Sequence, residues 1–107
     1  MMQLSFEDEA LKELYEDGAT TSKKYKRSLN KEIIKKYKKT VDYLQYAEKR
    51  SDWFRFNGLN YEVLGGSGLE SVRIDNRWRI LFRSIEDEQL VITEISLIEI
   101  SNHYGDN

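Results

Sequence analysis

The sequence predicts an α+β domain: a short N-terminal strand and two helices, the second long, packed on an antiparallel β-sheet. Two observations carry the prediction. Up to about residue 44 the apolar positions recur every three or four residues, the period of a helix buried along one stripe. From Tyr61 onward, branched and aromatic residues instead alternate with polar ones, the period of a strand. With 107 residues the chain fits one domain, 1–107, of a size that buries roughly two thirds of its unfolded surface.

Met2 to Phe6 sets Leu4 and Phe6 on one side of a short strand. Glu7-Asp8-Glu9 supplies the acids favoured in a first helical turn, Ala10, Leu11, Leu14 and Tyr15 give that helix an apolar face, and Gly18 ends it. Thr20, Thr21 or Ser22 caps the second, longer helix, whose core stripe runs Leu29, Ile33, Tyr37, Val41 and Leu44. Lys24, Arg27, Lys31, Lys35 and Lys38 repeat at the same period, two positions out of phase, and form a basic ridge opposite the stripe. Such a ridge is either a solvated surface or a contact for a phosphate backbone. The aromatic stretch Tyr43, Tyr46, Trp53, Phe54 and Phe56 is either core or a platform for stacking bases.

Tyr61 to Leu64 reads as a strand, and Gly65-Gly66-Ser67-Gly68 as a loop too flexible to hold a shape unaided. It lacks the G-x-x-x-x-G-K-[ST] pattern of a nucleotide-binding loop. Ser71 to Arg83 is a hairpin with a register that can be argued. A two-residue loop at Asp75-Asn76 would mix arginines into both apolar faces. A three-residue loop, Asp75-Asn76-Arg77, pairs Ile74 with Trp78 and Val72 with Ile80 and keeps one face apolar, so the longer loop is expected. Arg73 then stands opposite Arg79, with Arg83 further along the same face. Clustered guanidinium groups suit a bound phosphate, although exposed arginines are also commonly solvated or paired with carboxylates. Glu86-Asp87-Glu88 turns the chain into a last strand, from about Leu90 to Ile98 or Ile100, whose near-continuous aliphatics suggest burial on both faces for part of its length.

The composition excludes several chemistries. Without cysteine there is no disulfide, thiolate metal site or cysteine nucleophile, and the chain suits a reducing cytoplasm. Neither a membrane span nor a signal peptide is expected. A single histidine with scattered acids makes no credible metal site. The net charge of −2 conceals segregation: residues 1–18 carry one lysine against six acids, residues 19–55 twelve bases against four acids, and residues 56–107 four arginines against nine acids. The basic middle is the kind of block that nucleic-acid contacts use. His103 is the one side chain with an unperturbed pKa near neutrality.

Tyr61-Glu62-Val63-Leu64, the glycine loop, Ser71-Val72-Arg73-Ile74, Trp78-Arg79-Ile80 and a terminal His103-Tyr104 together resemble the HigB branch of the RelE/ParE superfamily of bacterial toxins. The opening, Leu11-Lys12-Glu13-Leu14-Tyr15 and Gly18 before a lysine-rich helix, is similar to that family's start, so the resemblance covers nearly the whole chain. It implies a RelE-like fold and a ribosome-dependent mRNA endonuclease that needs no cofactor or metal. It also implies silencing by a HigA-like helix-turn-helix antitoxin and action on mRNA in the ribosomal A site. Arg73 and Arg79 match the family's phosphate-binding arginines, His103 its terminal proton-transfer residue, and Tyr104 a substrate-orienting neighbour. Contacts to ribosome and RNA would fall to the ridge, Lys24, Arg27, Lys31, Lys35 and Lys38, and to Arg77 and Arg83. Two departures stand out. Where the branch has His-x-Leu-Lys-Gly, this chain reads Glu62-Val63-Leu64-Gly65-Gly66, and the tail reverses the usual order of tyrosine and histidine. A non-catalytic inhibitor of the ParE kind, acting on a protein such as gyrase, and an inactive module in an autorepressing complex are the rival functions.

Overall fold

The computed structural model describes residues 2–102. Its elements are β1 (Gln3–Phe6), α1 (Glu9–Asp17), α2 (Lys23–Ser28), α3 (Lys31–Leu44), α4 (Arg50–Arg55), β2 (Glu62–Leu64), β3 (Leu69–Arg73), β4 (Arg79–Glu86) and β5 (Ile92–Ser101). The five strands form one sheet in the order β1-β5-β4-β3-β2. Consecutive strands from β2 to β5 pair antiparallel, as expected. The first strand departs from expectation: β1 lies parallel to β5, with Leu4 beside Ile95 and Phe6 beside Leu97, so the sheet is mixed. The chain returns from β1 over the helices before it re-enters the sheet, and such a crossover permits parallel pairing.

The helices also differ from the expected pair. The predicted long helix is broken at Leu29-Asn30. Leu29 adopts an extended backbone (φ −106°, ψ 127°), and the Asn30 side chain accepts a hydrogen bond from the Ile33 amide at 2.9 Å. A short polar side chain that satisfies the amides of a new first turn competes with continuation of the old helix. Leu29 remains buried across the break, so the apolar stripe persists. Ser22 stands at the cap position of α2 without a side-chain cap bond. The aromatic stretch contains a further short helix, α4, begun where Asp52 accepts from the Glu48 and Lys49 amides at 2.9 and 3.0 Å. These bonds to its ionised form hold the Asp52 carboxyl below its ordinary range. At the end of α1, Gly18 takes the left-handed conformation (φ 75°) and its amide reaches the Leu14 carbonyl.

One face of the sheet meets the helices. Val72, Ile80, Phe82, Ile95, Leu97 and Ile100 join Leu11, Leu14, Tyr37, Val41, Leu44 and Trp53 in a single apolar core. The run of aliphatics in β5 has a different cause from the one its sequence suggests. The register slips by one residue between Leu81 and Phe82, which face Glu99 and Leu97, so Ile98 is an inserted position. This bulge lets both Leu97 and Ile100 face the core, three residues apart, while most of the strand is covered on one side only. The opposite face is open and carries Glu62, Ser71, Arg73, Arg79, Leu81 and Arg83. Among the described residues no helix is long and apolar enough to cross a membrane.

Candidate active site on the open face of the sheet

The expected hairpin register holds. The Ile74 amide donates to the Trp78 carbonyl at 2.8 Å, Val72 faces Ile80, and Arg73 faces Arg79. Asp75 holds the three-residue loop, its carboxylate accepting from the amides of Arg77 and Trp78 at 2.8 Å each. The apolar residues of the hairpin thus bury themselves on the helix side, and both arginines are delivered to the open side.

Arg79 is only 2% exposed. Its Nε donates to the Ser71 hydroxyl, and its Nη2 to the carbonyls of Asn60 at 2.6 Å and Ser71 at 3.3 Å. Asn60 has a positive φ of 47°, a conformation that asparagine tolerates better than most residues, at the turn that brings its carbonyl to Arg79. The Glu62 carboxylate lies 3.5 Å from Nη2 of Arg79. Arg73 donates through Nε to the Asp75 carbonyl at 3.1 Å and through its other end to the Asn76 side chain. Arg73 and Arg79 both line a cavity of about 220 Å³ together with Asn60, Asp75 and Asn76. It is roomy enough for a phosphate group between two cations.

The remaining expected contacts are dispersed. Arg83 is exposed further along β4 and donates to the Ser67 carbonyl at 3.0 Å. With the Ser67 hydroxyl bonded to the Leu64 carbonyl and the Leu69 amide, that contact holds the glycine loop. Arg77 is exposed at the hairpin tip. The basic ridge is divided by the helix break: Lys24 and Arg27 stand on α2, Lys31, Lys35 and Lys38 on α3. Lys24 pairs with Glu99 at 3.4 Å and lies over the Tyr25 ring, whereas Arg27, Lys31 and Lys35 are exposed and Lys38 is half-buried. His103 and Tyr104 lie outside the described residues; Ser101, two positions earlier in the sequence, is the register partner of Arg79. No three His, Cys, Asp or Glu side chains among the described residues are grouped to hold a metal ion.

Sequence reasoning missed the role of Glu62 at this site. It occupies the place where the resembling branch has histidine, and β2 pairs it with Ser71, hence with the face of Arg79. Pairing Tyr61 to Leu64 across the glycine loop would have given that signal. A second cluster was missed on the helix side. The buried Glu70 accepts from the Tyr61 hydroxyl at 2.6 Å, from the Ser84 amide at 2.7 Å and from the Ser84 hydroxyl, with Arg50 of α4 at 3.5 Å. Burial and the bond to Glu70 raise the Tyr61 hydroxyl pKa.

No family model and no curated protein matches the chain. Solved structures do. A YoeB/ParE toxin from Agrobacterium tumefaciens superposes with a TM-score of 0.60 at 16% identity, over 96% of this chain and 100% of that one. A chain of a YoeB-YefM complex from Staphylococcus aureus gives a TM-score of 0.55 at 20% identity, over 97% of this chain and 99% of that one. The fold is therefore the α+β fold of the YoeB/ParE toxins, with a mixed five-stranded sheet. At 16% and 20% identity the likeness is one of fold.

Proposed function

We propose that this protein is the toxin of a toxin–antitoxin pair and acts as a ribosome-dependent mRNA endonuclease of the HigB kind. The observation that carries the reading is the convergence of Arg73, Arg79 and Glu62 on the open face of the sheet, beside a phosphate-sized cavity. Cleavage by a ribose 2′-hydroxyl needs cations for the charge that develops on phosphorus, a base for the hydroxyl proton and an acid for the leaving 5′-oxygen. Arg79, pre-set by Ser71 and Asn60, and Arg73 would grip the scissile phosphate. Glu62, whose carboxylate lies 3.5 Å from Nη2 of Arg79, would accept the 2′-hydroxyl proton. His103 would protonate the leaving oxygen, and Tyr104 would orient the substrate. Two guanidinium groups supply the charge that a metal would otherwise bring, so the reaction runs without one. Partners are an antitoxin of the HigA helix-turn-helix type, the ribosomal A site and mRNA. The Staphylococcus aureus structure, a toxin held with YefM, supports an antitoxin partner. The ridge residues Lys24, Arg27, Lys31, Lys35 and Lys38, with Arg77 and Arg83, would face ribosomal RNA.

Induction of wild type, Arg79→Lys and Glu62→Gln in bacterial cells, with mRNA 5′ ends mapped by sequencing, tests the reading. Arg79→Ala is a poorer probe, because it removes the donors to a buried serine and carbonyl and perturbs folding. New ends at translated codons are expected with wild type, reduced about a hundredfold in either variant. Growth arrest without new ends would make the chain an inhibitor of the ParE kind, and no effect at all would make it a binding module.

A further inference from the structure

A cavity of about 500 Å³ lies beside the arginine pair and takes no part in the scheme above. Its walls come from α3, from the loop after α4 and from the end of β3. Lys36, Lys39 and Tyr43, spaced three and four apart, present one helical face to it; Phe56 and Asn57 stand in the loop, and Arg73 closes one end. Three cations line it and no carboxylate does. Arg73 is also a wall of the smaller cavity, so the two spaces share a side chain. Tyr43 is 41% exposed although it stands next to core residues, and Phe56 is half-buried. The aromatic stretch has thus divided: Trp53 went to the core, while Tyr43 and Phe56 line a basic cleft.

We propose that this cavity is a nucleotide subsite for single-stranded RNA, holding the base next to the phosphate gripped by Arg73 and Arg79. The inference rests on the nuclease reading for that neighbouring phosphate. Its own support is the composition of the cleft. A base offers a flat apolar face for Tyr43 and Phe56, Asn57 can bond to its edge, and Lys36 and Lys39 meet the backbone charge. The volume falls in the range of small-molecule sites and suits one nucleotide. Lys36 and Lys39 line the cavity and Lys31, Lys35 and Lys38 do not, so substitutions address the two sets separately.

The test is binding of a fluorescein-labelled hexa-adenylate RNA to the full chain, read by anisotropy across a salt series. Wild type, Lys36→Glu/Lys39→Glu, Tyr43→Ala and the charge-matched control Lys31→Glu/Lys35→Glu are compared after thermal melts establish that each is folded. Lys36→Glu/Lys39→Glu is expected to weaken binding at least tenfold more than the control. Tyr43→Ala should weaken it roughly fivefold or more with the salt slope unchanged, as loss of stacking does. Equal losses in the two lysine variants, or full affinity in Tyr43→Ala, would overturn the subsite. So would full RNA affinity in Lys36→Glu/Lys39→Glu joined to weakened antitoxin binding, which would assign the cleft to a protein segment. Mapped mRNA ends separate the two readings. Cutting by wild type with RNA binding indifferent to the cavity removes the subsite and leaves the nuclease. Cavity-dependent binding without cutting removes the nuclease and leaves an RNA site.

Discussion

The two faces of the sheet each bury one charge on the same pair of strands, and they treat it differently. On the helix side, Glu70 is 3% exposed and is surrounded by the Tyr61 hydroxyl, the Ser84 amide and hydroxyl, and Arg50. Arg50 in turn bonds Ser84 and Glu86, so α4 is tied to the sheet through it. On the open side, Arg79 is as deeply buried but sits at the wall of a cavity with a second arginine. Glu70 is a closed charge that joins two layers, and Arg79 an open one that faces a space a ligand can enter. Burial alone does not tell a structural charge from a functional one; the neighbouring volume does.

The largest expected effect is on the closed side. Glu70→Ala leaves the Tyr61 hydroxyl and the Ser84 amide and hydroxyl without their acceptor, takes a carboxylate away from Arg50, and should lower stability by about 3–5 kcal/mol in urea unfolding. Arg79→Ala should lower it by about 1–3 kcal/mol and abolish the proposed mRNA cutting. Equal stability losses would erase the distinction between the faces. Serine substitutions sharpen it further. Ser84→Ala should reduce stability by about 1–2 kcal/mol, while Ser71→Ala, which loosens Arg79, should change stability by less than about 1 kcal/mol and slow cutting. The reverse pattern would exchange the roles of the two clusters. The smallest effect is in alkali. A hydroxyl whose folded pKa is raised stabilises the protein fully below its unfolded value of 10.0 and loses that contribution as pH rises through the folded value. Unfolding midpoints should therefore fall above pH 10.0, less steeply in Tyr61→Phe and unchanged in steepness in Ser71→Ala.

The open face was legible from sequence because a one-residue slip in the hairpin would have exchanged every side chain between core and solvent. That constraint fixed Arg73 opposite Arg79. The closed cluster left a weaker mark: Glu70 shares the side of Val72 in the alternation, an acid at a core-facing position. Its partner Arg50 is twenty residues away on a six-residue helix too short to show a period. The break at Asn30 was invisible to the apolar stripe, since Leu29 is buried with or without it. Parallel pairing of β1 had no local signal at all, because its partner lies at the other end of the described chain. Glu62 was hidden by reading the strand before the glycine loop alone, without its pairing to β3.

That distant partner of β1 governs how the molecule is assembled. The bond from the Ser5 hydroxyl to Glu94 joins residues 89 positions apart, and β5 stands between β1 and β4 in the sheet. A nascent chain made only as far as β4 therefore has a first strand with nothing to pair with and a bare edge where β5 belongs. Contacts of such long sequence separation form late and slow the overall folding rate. The helices can gather early, but Ser101 cannot take its place beside Arg79 until β5 has been added. The face proposed to act on ribosomes is thus completed only after nearly all of the described chain has been synthesised.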